Sequence, residues 1–353
     1  MRMLVLGAGL QGSACAYDLL QQPGVERVTI ADVKPERIPV FLKAYVGKRL
    51  VLLKLDIQDG AALRAAMVGH EAVQNAAPYH FNLEVSRAAV DTGVHDADLG
   101  GNTEIVFKQK DLDADAKQRR VSVIPDCGLA PGMVNILAAE GIRRVGDAEA
   151  VKIYVGGLPQ HPEPPLNYQI VYSLEGALDY YTTPSWVLRD GKPARVDALS
   201  ELEQVMFPPP VGELEAFHTG GGISTLPWAY QGKIQTMEYK TLRYPGHVAI
   251  MRPIRELGLL DLTPVKEGEG NRAARRLHRR RIPQTHQARG ARFGRPPGRG
   301  AGEERETGCM AAARLLRRGA RHQRDDADHG LLARHHRSDA GGRPDRRPWG
   351  AHT

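Results

Sequence analysis

The chain has 353 residues and a formal net charge of +7, and this length allows two domains that each bury a core. No apolar run reaches the roughly 18 residues of a membrane-spanning helix, and the first residues do not have the layout of a signal peptide. The three cysteines, Cys15, Cys127 and Cys309, are far apart, which excludes a disulfide framework and a zinc motif. These features favour a cytoplasmic protein without a membrane partner.

The positive charge is concentrated in the last part of the chain. Residues 271–353 contain 21 Arg, no Lys and 8 acidic residues, a balance of +13 that leaves −6 for residues 1–270. An Arg-rich segment can bind nucleic acid through the phosphates. This segment contains only one Phe and one Trp and no recognised motif, so we expect no nucleic-acid partner.

The stretch Met3–Gly12 predicts a strand, a tight turn and the start of a helix. Met3–Leu6 is apolar, and Gly7, Gly9 and Gly12 form the pattern G-x-G-x-x-G. In dinucleotide-binding proteins the three glycines allow the turn, the approach of the pyrophosphate and the close packing of the helix on the strand. The N–H groups at the start of the helix then hold the phosphates.

Asp32 predicts which dinucleotide binds. It follows a second apolar strand, Val28–Ala31, and lies twenty residues after Gly12. An acidic side chain here binds the ribose 2′-hydroxyl of NAD and repels the 2′-phosphate of NADP; the alternative is a turn residue at the end of a strand. We therefore predict NAD as the cofactor. The predicted cofactor-binding residues are Gly7, Gly9, Leu10, Gln11, Gly12, Asp32, Asp56, Ile57, Ala77 and Pro78.

Strands and helices alternate over residues 1–125. The strand Leu50–Leu55 ends next to Asp56, and the strand Ala72–Ala76 leads into a polar loop, which is where ligands bind in an open α/β sheet. Repeated βα units predict an α/β fold with a doubly wound parallel sheet. At Asp126 the pattern changes, and a more β-rich region follows. We predict a dinucleotide-binding domain over 1–125, a second and more β-rich domain over 126–266, and a tail over 267–353.

Four motifs carry a family resemblance, namely LGAGLQG, DLGGN, PDCGLAPGMVN and EYKTLRYPGH. On the basis of these motifs, the chain resembles the saccharopine dehydrogenase-like family up to about residue 265. Its middle region, which includes YVGGLPQHPEPPLNY, is similar to lysine 6-dehydrogenases. The resemblance implies that residues 1–125 are a Rossmann domain and residues 126–266 an incomplete α+β substrate and catalytic domain. It also implies a homodimer that oxidises the ε-amine carbon of a small amino-acid substrate, L-lysine, with NAD. The imine is then hydrolysed to a semialdehyde, which cyclises. Two alternatives stay open: a secondary amine such as saccharopine as substrate, and an inactive chain that still binds NAD.

The chemistry that the resemblance implies requires a neutral amine, so a base near neutral pH must remove its proton. His218 is the predicted base, with Asp98 and Lys240 as further catalytic candidates; the alternative for His218 is a loop histidine bonded to the backbone. Arg243 is predicted to pair with the substrate carboxylate, although Lys240 and Arg243 also fit solvated charges on an exposed sheet face. The predicted substrate-binding residues are Tyr79, Asn82, Asn135, Tyr172 and Arg243. No metal is predicted.

The tail from Glu267 onward has an unusual composition. Residues 271–353 contain no Val, Lys or Tyr and are rich in Arg, Gly, Ala, Pro and His, as expected when GC-rich codons are read out of frame. We shifted the reading frame by the same offset for residues 272–300 and for residues 325–353. Codon degeneracy then permits an alternating apolar strand in the first run and a helix-like segment that resembles the family in the second. We therefore predict that the tail is a frameshift product. It should be largely disordered, because it has few apolar residues to offset the entropy lost on ordering. The whole chain should then be poorly soluble and weakly active or inactive. Resequencing the gene across the codons for residues 265–270 tests this prediction, and an unbroken reading frame would contradict it.

Overall fold

The computed structural model describes residues 1–169 and 174–261, without the side chains of Leu174 and Glu175, and the backbone of Thr307–Arg317 and Leu331–His335. Tyr172, one of the predicted substrate-binding residues, lies outside the described residues, as does the predicted domain boundary at residue 266. Within the described ranges, no helix has both the length and the apolar character needed to cross a lipid bilayer.

The N-terminal domain is built on a six-stranded parallel sheet. Its strands are β1 (Arg2–Leu6), β2 (Arg27–Asp32), β3 (Leu50–Lys54), β4 (Ala72–Asn75), β5 (His95–Asp98) and β6 (Val123–Ile124). The helices are α1 (Leu10–Gln21), α2 (Val40–Lys43), α3 (Gly60–Met67), α4 (Asn82–Thr92), α5 (Thr103–Lys110) and α6 (Asp113–Arg119). The strand order is β3-β2-β1-β4-β5-β6, and all pairs are parallel. The predicted Rossmann fold is therefore confirmed.

The central strand β1 is covered on both faces. Leu4 and Leu6 pack on the side of α3 and α4, and Val5 packs on the side of α1; all three side chains are fully buried. A parallel strand between two helical layers must be apolar throughout, which explains the apolar run before the glycine turn. The strands all point the same way, so the loops that follow them meet at one edge of the sheet.

Helix α7 (Met133–Val145) leads into a second domain with a mixed sheet. Its strands are β7 (Ala148–Pro159), β8 (Ser185–Arg189), β9 (Lys192–Val196), β10 (Glu203–Phe207), β11 (Gly212–Phe217), β12 (Thr236–Arg243), β13 (Thr307–Arg317) and β14 (Leu331–His335). Its helices are α8 (Leu174–Asp179), α9 (Leu226–Ala229) and α10 (His247–Glu256). The order is β10-β11-β12-β7-β13-β14, and β8 pairs with β12 and β9. Only β12 and β7 are parallel among the described pairs.

Strand β12 lies at the centre of the second sheet and is buried on both faces. Tyr239 packs on the α7 side, and Leu242 packs on the opposite side against β10 and β11. Lys240 is 4% exposed and Arg243 is 5% exposed. The interpretation of these two residues as solvated charges is therefore wrong, because other elements cover both faces of the strand.

Two segments of the tail are strands, although the sequence predicts little order there. Strand β13 pairs antiparallel with β7 over nearly the whole length of both strands, and β14 pairs with β13. Strand pairing uses backbone N–H and C=O groups that almost any sequence provides, and β7 offers its second edge to such a partner. The expectation of disorder does not hold for these two segments, and the rest of the tail lies outside the described residues.

Candidate active site

The glycine turn after β1 has the shape that a dinucleotide requires. A Cβ atom built on Gly12 would lie 2.0 Å from the carbonyl oxygen of Gly7, so only glycine lets α1 approach the strand this closely. A Cβ atom on Gly9 would meet no protein atom within 4 Å, so the space beside it is open. No side chain caps the first turn of α1, where Leu10 and Gln11 are exposed. The open space and the uncapped N–H groups fit a pyrophosphate.

Asp32 is held beside this turn by two backbone hydrogen bonds. Its Oδ2 accepts from the N–H of Ala8 at 2.8 Å, and its Oδ1 accepts from the N–H of Lys34 at 2.8 Å. The side chain is only partly buried, and each carboxylate oxygen keeps a further lone pair for a ligand hydroxyl. The carboxylate is thus fixed where the adenine ribose of a bound dinucleotide would lie.

The other predicted cofactor-binding residues lie at the same edge of the sheet. Asp56 and Ile57 follow β3, and Ala77 and Pro78 follow β4. The N–H of Ala77 donates to the side chain of Asn75, which fixes the start of this loop. The structure therefore brings together all the residues predicted to bind the cofactor.

Asn82 and Asn135 make hydrogen bonds within the protein. Asn82 is buried and accepts from the side chain of Asn75 at 3.0 Å. The amide of Asn135 donates to the carbonyl oxygen of Ile223 at 3.2 Å and so ties α7 to the loop before α9. These hydrogen bonds fix both side chains, and their contact with the substrate stays a prediction.

Tyr79 lies where the two domains meet. Its hydroxyl donates to Oδ2 of Asp179 in the second domain at 3.0 Å. A Cβ atom on Gly101 would lie 3.1 Å from the Cβ of Tyr79, so the loop after β5 runs against this tyrosine. Tyr79 thus lies at the contact between the two domains, and its contact with the substrate stays a prediction.

Asp98 connects the loops that follow β5 and β6. Its Oδ1 accepts from the N–H groups of Gly100 and Asp126, and its Oδ2 accepts from the side chain of Gln109 at 2.7 Å. Burial raises the pKa of this carboxyl, although these three donors oppose the rise. With three internal donors and no exposed surface, Asp98 organises the floor of the cleft.

His218 and Lys240 belong to a buried network of charges in the second domain. Nδ1 of His218 lies 3.1 Å from the carbonyl oxygen of Tyr239, and its Nε2 lies 3.1 Å from a carboxylate oxygen of Glu201. Lys240 pairs with Glu203 at 3.0 Å and donates to the carbonyl oxygen of Glu201. Both ring nitrogens of His218 have a partner, and its side chain is fully buried. This arrangement agrees with the alternative interpretation of His218 as a histidine that is bonded to the backbone.

The same network contains three groups with metal-binding atoms. Atoms of Glu201, His218 and Glu238 lie within 4.8 Å of one another. Arg189, however, pairs with both glutamates at 2.8 Å, and Lys152 pairs with Glu238 at 3.2 Å. These cations already balance the carboxylates, and the network is therefore best described as structural.

Arg243 lies in an aromatic pocket on the other face of β12 from Lys240. Its guanidinium carbon is 4.0 Å from the ring centre of Tyr168. Tyr181 lies close enough for Arg243 to lower the pKa of its hydroxyl, although burial raises that pKa overall. His247 contacts Tyr181 at 2.9 Å, and burial together with Arg243 lowers its pKa to about 4. Because His247 is neutral near pH 7, Arg243 carries the positive charge in this pocket.

Sequence reasoning missed the residues that line the cleft together with Tyr79. Asp126 is 9% exposed, and burial raises its pKa to about 6. Tyr180 lies near Asp126, Asp179, Tyr79 and Tyr239, and burial raises the pKa of its hydroxyl. The available signal was the position of Asp126 directly after β6, at the same edge of the sheet as the glycine turn.

Two family models match the chain along most of its length. The model described as the saccharopine dehydrogenase NADP binding domain matches residues 3–124, and the model described as the saccharopine dehydrogenase C-terminal domain matches residues 128–331. The fold and the glycine turn define a dinucleotide-binding α/β protein with a second sheet domain. The chain belongs to the saccharopine dehydrogenase family, and a nicotinamide dinucleotide is the class of cofactor that its N-terminal domain binds.

Individual relatives have low sequence identity to the chain. It is 27% identical over 267 residues to saccharopine dehydrogenase (NADP(+), L-glutamate-forming) of Pyricularia oryzae, covering 73% of this chain and 58% of that protein. It is 24% identical over 270 residues to mitochondrial alpha-aminoadipic semialdehyde synthase of Mus musculus, covering 74% of this chain and 28% of that protein. The chain thus spans little more than half the length of the first relative and less of the second.

One solved structure has the same overall fold. The apo saccharopine dehydrogenase (L-Glu forming) of Saccharomyces cerevisiae superposes with a TM-score of 0.63, covering 89% of this chain and 81% of that one at 17% sequence identity. At this identity the likeness establishes the fold, a Rossmann domain followed by a second sheet domain, and leaves the substrate to be argued from the site.

Proposed function

We propose that the chain is an NAD-dependent oxidoreductase acting on the CH–NH2 group of an amino acid, with L-lysine oxidised at its ε-carbon. When bound, the nicotinamide supplies the acceptor for the hydride. The protein's own groups bind the two ends of the substrate and remove a proton from its amine. The semialdehyde that forms by hydrolysis cyclises without a further catalytic group.

Asp32 is the observation that carries the preference for NAD. Its carboxylate is fixed by the N–H groups of Ala8 and Lys34, so it cannot swing away from an incoming 2′-phosphate without breaking two hydrogen bonds. A negative phosphate beside a negative carboxylate is repelled, whereas two ribose hydroxyls can donate to it. This supports NAD, although the related fungal enzyme is named for NADP(+).

The charges around the cleft support lysine as the substrate. Asp126 and Asp179 supply negative charge beside Tyr79 and Tyr180, which suits an ammonium group. Arg243 supplies positive charge in its aromatic pocket, which suits one carboxylate. Lysine has one of each at its two ends.

Saccharopine is the second candidate, and the names of the relatives favour it. Saccharopine is a secondary amine with three carboxylates, so it needs more cationic partners than lysine. Among the described residues, Lys240, Lys152 and Arg189 are already paired within the buried network. The larger substrate would therefore need cations from elsewhere.

The test is formation of the reduced dinucleotide, NADH or NADPH, measured with the full chain and the four combinations of L-lysine or saccharopine with NAD or NADP. We expect turnover of lysine with NAD to be the fastest. Turnover of saccharopine without turnover of lysine would establish the second candidate. Binding of NAD without turnover of either substrate would identify the chain as an inactive dinucleotide-binding protein.

Replacing Asp32 by alanine is expected to reduce the preference for NAD over NADP by about 10- to 100-fold, because a hydrogen bond to a charged group contributes roughly 1.5–3 kcal/mol. Titration of the protein with each dinucleotide measures the ratio of the two dissociation constants. Asp113→Ala is the control, since Asp113 is an exposed acidic residue in the first turn of α6 and is not among the predicted cofactor-binding residues. Equal affinity of the unmutated protein for NAD and NADP would contradict the assignment.

A further inference from the structure

Asp126 is a buried carboxylate without an ordinary hydrogen bond to its side chain. Both of its oxygens are shielded from solvent, and among the described residues none donates to either of them with normal hydrogen-bond geometry. Its backbone, by contrast, is anchored, since its N–H donates to Asp98 at 3.1 Å. The hydroxyl of Ser224 and the backbone N–H of Gly101 lie near enough to lower the pKa of the carboxyl. A buried carboxylate that is not fully hydrogen-bonded is destabilising, which favours a proton or a cationic partner.

The carboxylate sits between the two domains. A Cβ atom on Gly100 would lie 2.2 Å from Oδ1 of Asp126, so the loop after β5 runs directly against it. On the side of the second domain it faces the hydroxyl of Ser224 and the ring of Tyr180. Asp126 also has a left-handed backbone, φ 61°, which is uncommon outside glycine. Strained residues of this kind cluster at binding and catalytic sites.

The surroundings of Asp126 suit an organic cation. Tyr79, Tyr180 and Tyr239 form a group of neighbouring phenol rings, and Asp179 adds a second carboxylate that accepts from Tyr79. Aromatic faces attract ammonium groups, most strongly where water is excluded. A cation in this cleft would meet negative charge and aromatic rings at the same time.

We propose, on the basis of the function proposed above, that Asp126 binds the ε-ammonium group of the substrate and then accepts its proton. An N–H bond of the ammonium breaks, an O–H bond forms on the carboxylate, and the electron pair stays on nitrogen. The neutral amine that results can release a hydride from the adjacent carbon. Asp126 is thereby the catalytic base as well as the group that selects an amine.

The ionisation of Asp126 suits a base that works near neutral pH. Burial raises its pKa to about 6, while Ser224 lowers it and Asp98 raises it further. Cys127 and Tyr180 also interact with this charge, which raises the pKa of both groups. A base whose pKa lies near the working pH is ionised when the substrate arrives and still holds a proton well enough to accept one.

The position of Arg243 agrees with an amine bound at Asp126. Arg243 lies four residues after Tyr239 on the same face of β12, about 13 Å along the strand at roughly 3.3 Å per residue. Tyr239 and Arg243 thus share one face of the strand, and a substrate that spans this face would place its ammonium group and its carboxylate at opposite ends of it.

The experiment measures the affinity of the cofactor-free full chain for L-lysine and for L-norleucine, which lacks only the ε-amine. We expect Asp126→Asn to weaken lysine binding by about 10- to 100-fold and to leave norleucine binding unchanged. Asp190→Asn is the matched control, because Asp190 has a similar left-handed backbone, φ 50°, in an exposed turn. The control variant should bind both ligands as the unmutated chain does.

A pH series on the unmutated chain keeps the inference testable even if Asp126→Asn does not fold. As the pH falls through about 6, Asp126 becomes neutral, so lysine affinity should fall while norleucine affinity stays constant. The absence of any discrimination between the two ligands in the unmutated chain would overturn the inference. An equal loss of affinity for lysine and norleucine in Asp126→Asn would also overturn the inference. Failure of the proposed function shows separately, as absence of NADH formation from lysine.

Discussion

Replacing Gly12 by alanine is expected to destabilise the N-terminal domain by about 3 kcal/mol or more and to abolish dinucleotide binding. The new Cβ atom would lie 2.0 Å from the carbonyl oxygen of Gly7 and 2.9 Å from its carbonyl carbon. Both are backbone atoms of the turn, so helix α1 must move away from β1. Overpacking of a well-packed site typically costs about 1–3 kcal/mol, and more where the backbone has to shift. Denaturant unfolding and NADH fluorescence titration measure the two effects.

Gly9→Ala is the matched control for this substitution. Gly9 has an ordinary extended backbone, φ −71°, and a methyl group there meets no protein atom within 4 Å. We expect the free energy of unfolding of Gly9→Ala to stay within about 1 kcal/mol of that of the unmutated chain. Dinucleotide binding should nevertheless weaken, because the methyl group fills the space that the pyrophosphate needs. A Gly12→Ala protein as stable as Gly9→Ala would contradict the close packing of α1 on β1.

The second large effect is expected when Glu238 is replaced by glutamine. Glu238 is buried and pairs with Lys152 at 3.2 Å and Arg189 at 2.8 Å. Removing the charge of Glu238 leaves Lys152 and Arg189 with less negative charge beside them. Breaking a buried ion pair typically lowers the free energy of unfolding by about 3–5 kcal/mol. Because each cation keeps one other glutamate, we expect a loss at the lower end of this range. Urea unfolding at pH 7 measures the loss.

An exposed ion pair provides the control for the buried network. Lys117 and Asp113 pair at 2.6 Å on the surface of α6, and Asp113→Asn should change stability by less than about 0.5 kcal/mol. If Glu238→Gln costs no more than Asp113→Asn, the buried network does not stabilise the fold.

The network also predicts how stability depends on pH. Burial alone raises the pKa of Glu238, but Lys152, Lys240 and Arg189 outweigh burial and lower the pKa below its usual value. A lowered folded-state pKa contributes stability above the unfolded value of about 4.3, and this contribution is lost as the pH falls through the folded-state pKa. The unmutated chain should therefore lose stability below about pH 4 more steeply than Glu238→Gln. Parallel acid-unfolding profiles for the two proteins would contradict this assignment.

The N-terminal domain could be predicted well from the sequence because its signals are local. The glycine turn, the apolar strands and Asp32 each follow from a few neighbouring residues, and the structure has them where they were predicted. Local patterns of this kind depend on backbone geometry more than on distant packing.

The interior of the second domain could not be predicted in the same way. The alternation along β12 puts Lys240 and Arg243 on opposite faces, but the sequence does not show that other elements cover both faces. The partners of His218 come from Tyr239 and Glu201, which lie 21 and 17 residues away. The cleft around Asp126 is assembled from both domains, so no single stretch of sequence indicates it.

The central claim is that the chain transfers a hydride from the ε-carbon of L-lysine to NAD. The most direct measurement uses L-lysine deuterated at its ε-carbon and follows the mass of the NADH that forms. If the claim is correct, the NADH carries one deuterium, and the cyclised semialdehyde accumulates in equal amount. NADH without deuterium, or deuterium transfer from labelled saccharopine with none from lysine, would contradict the claim.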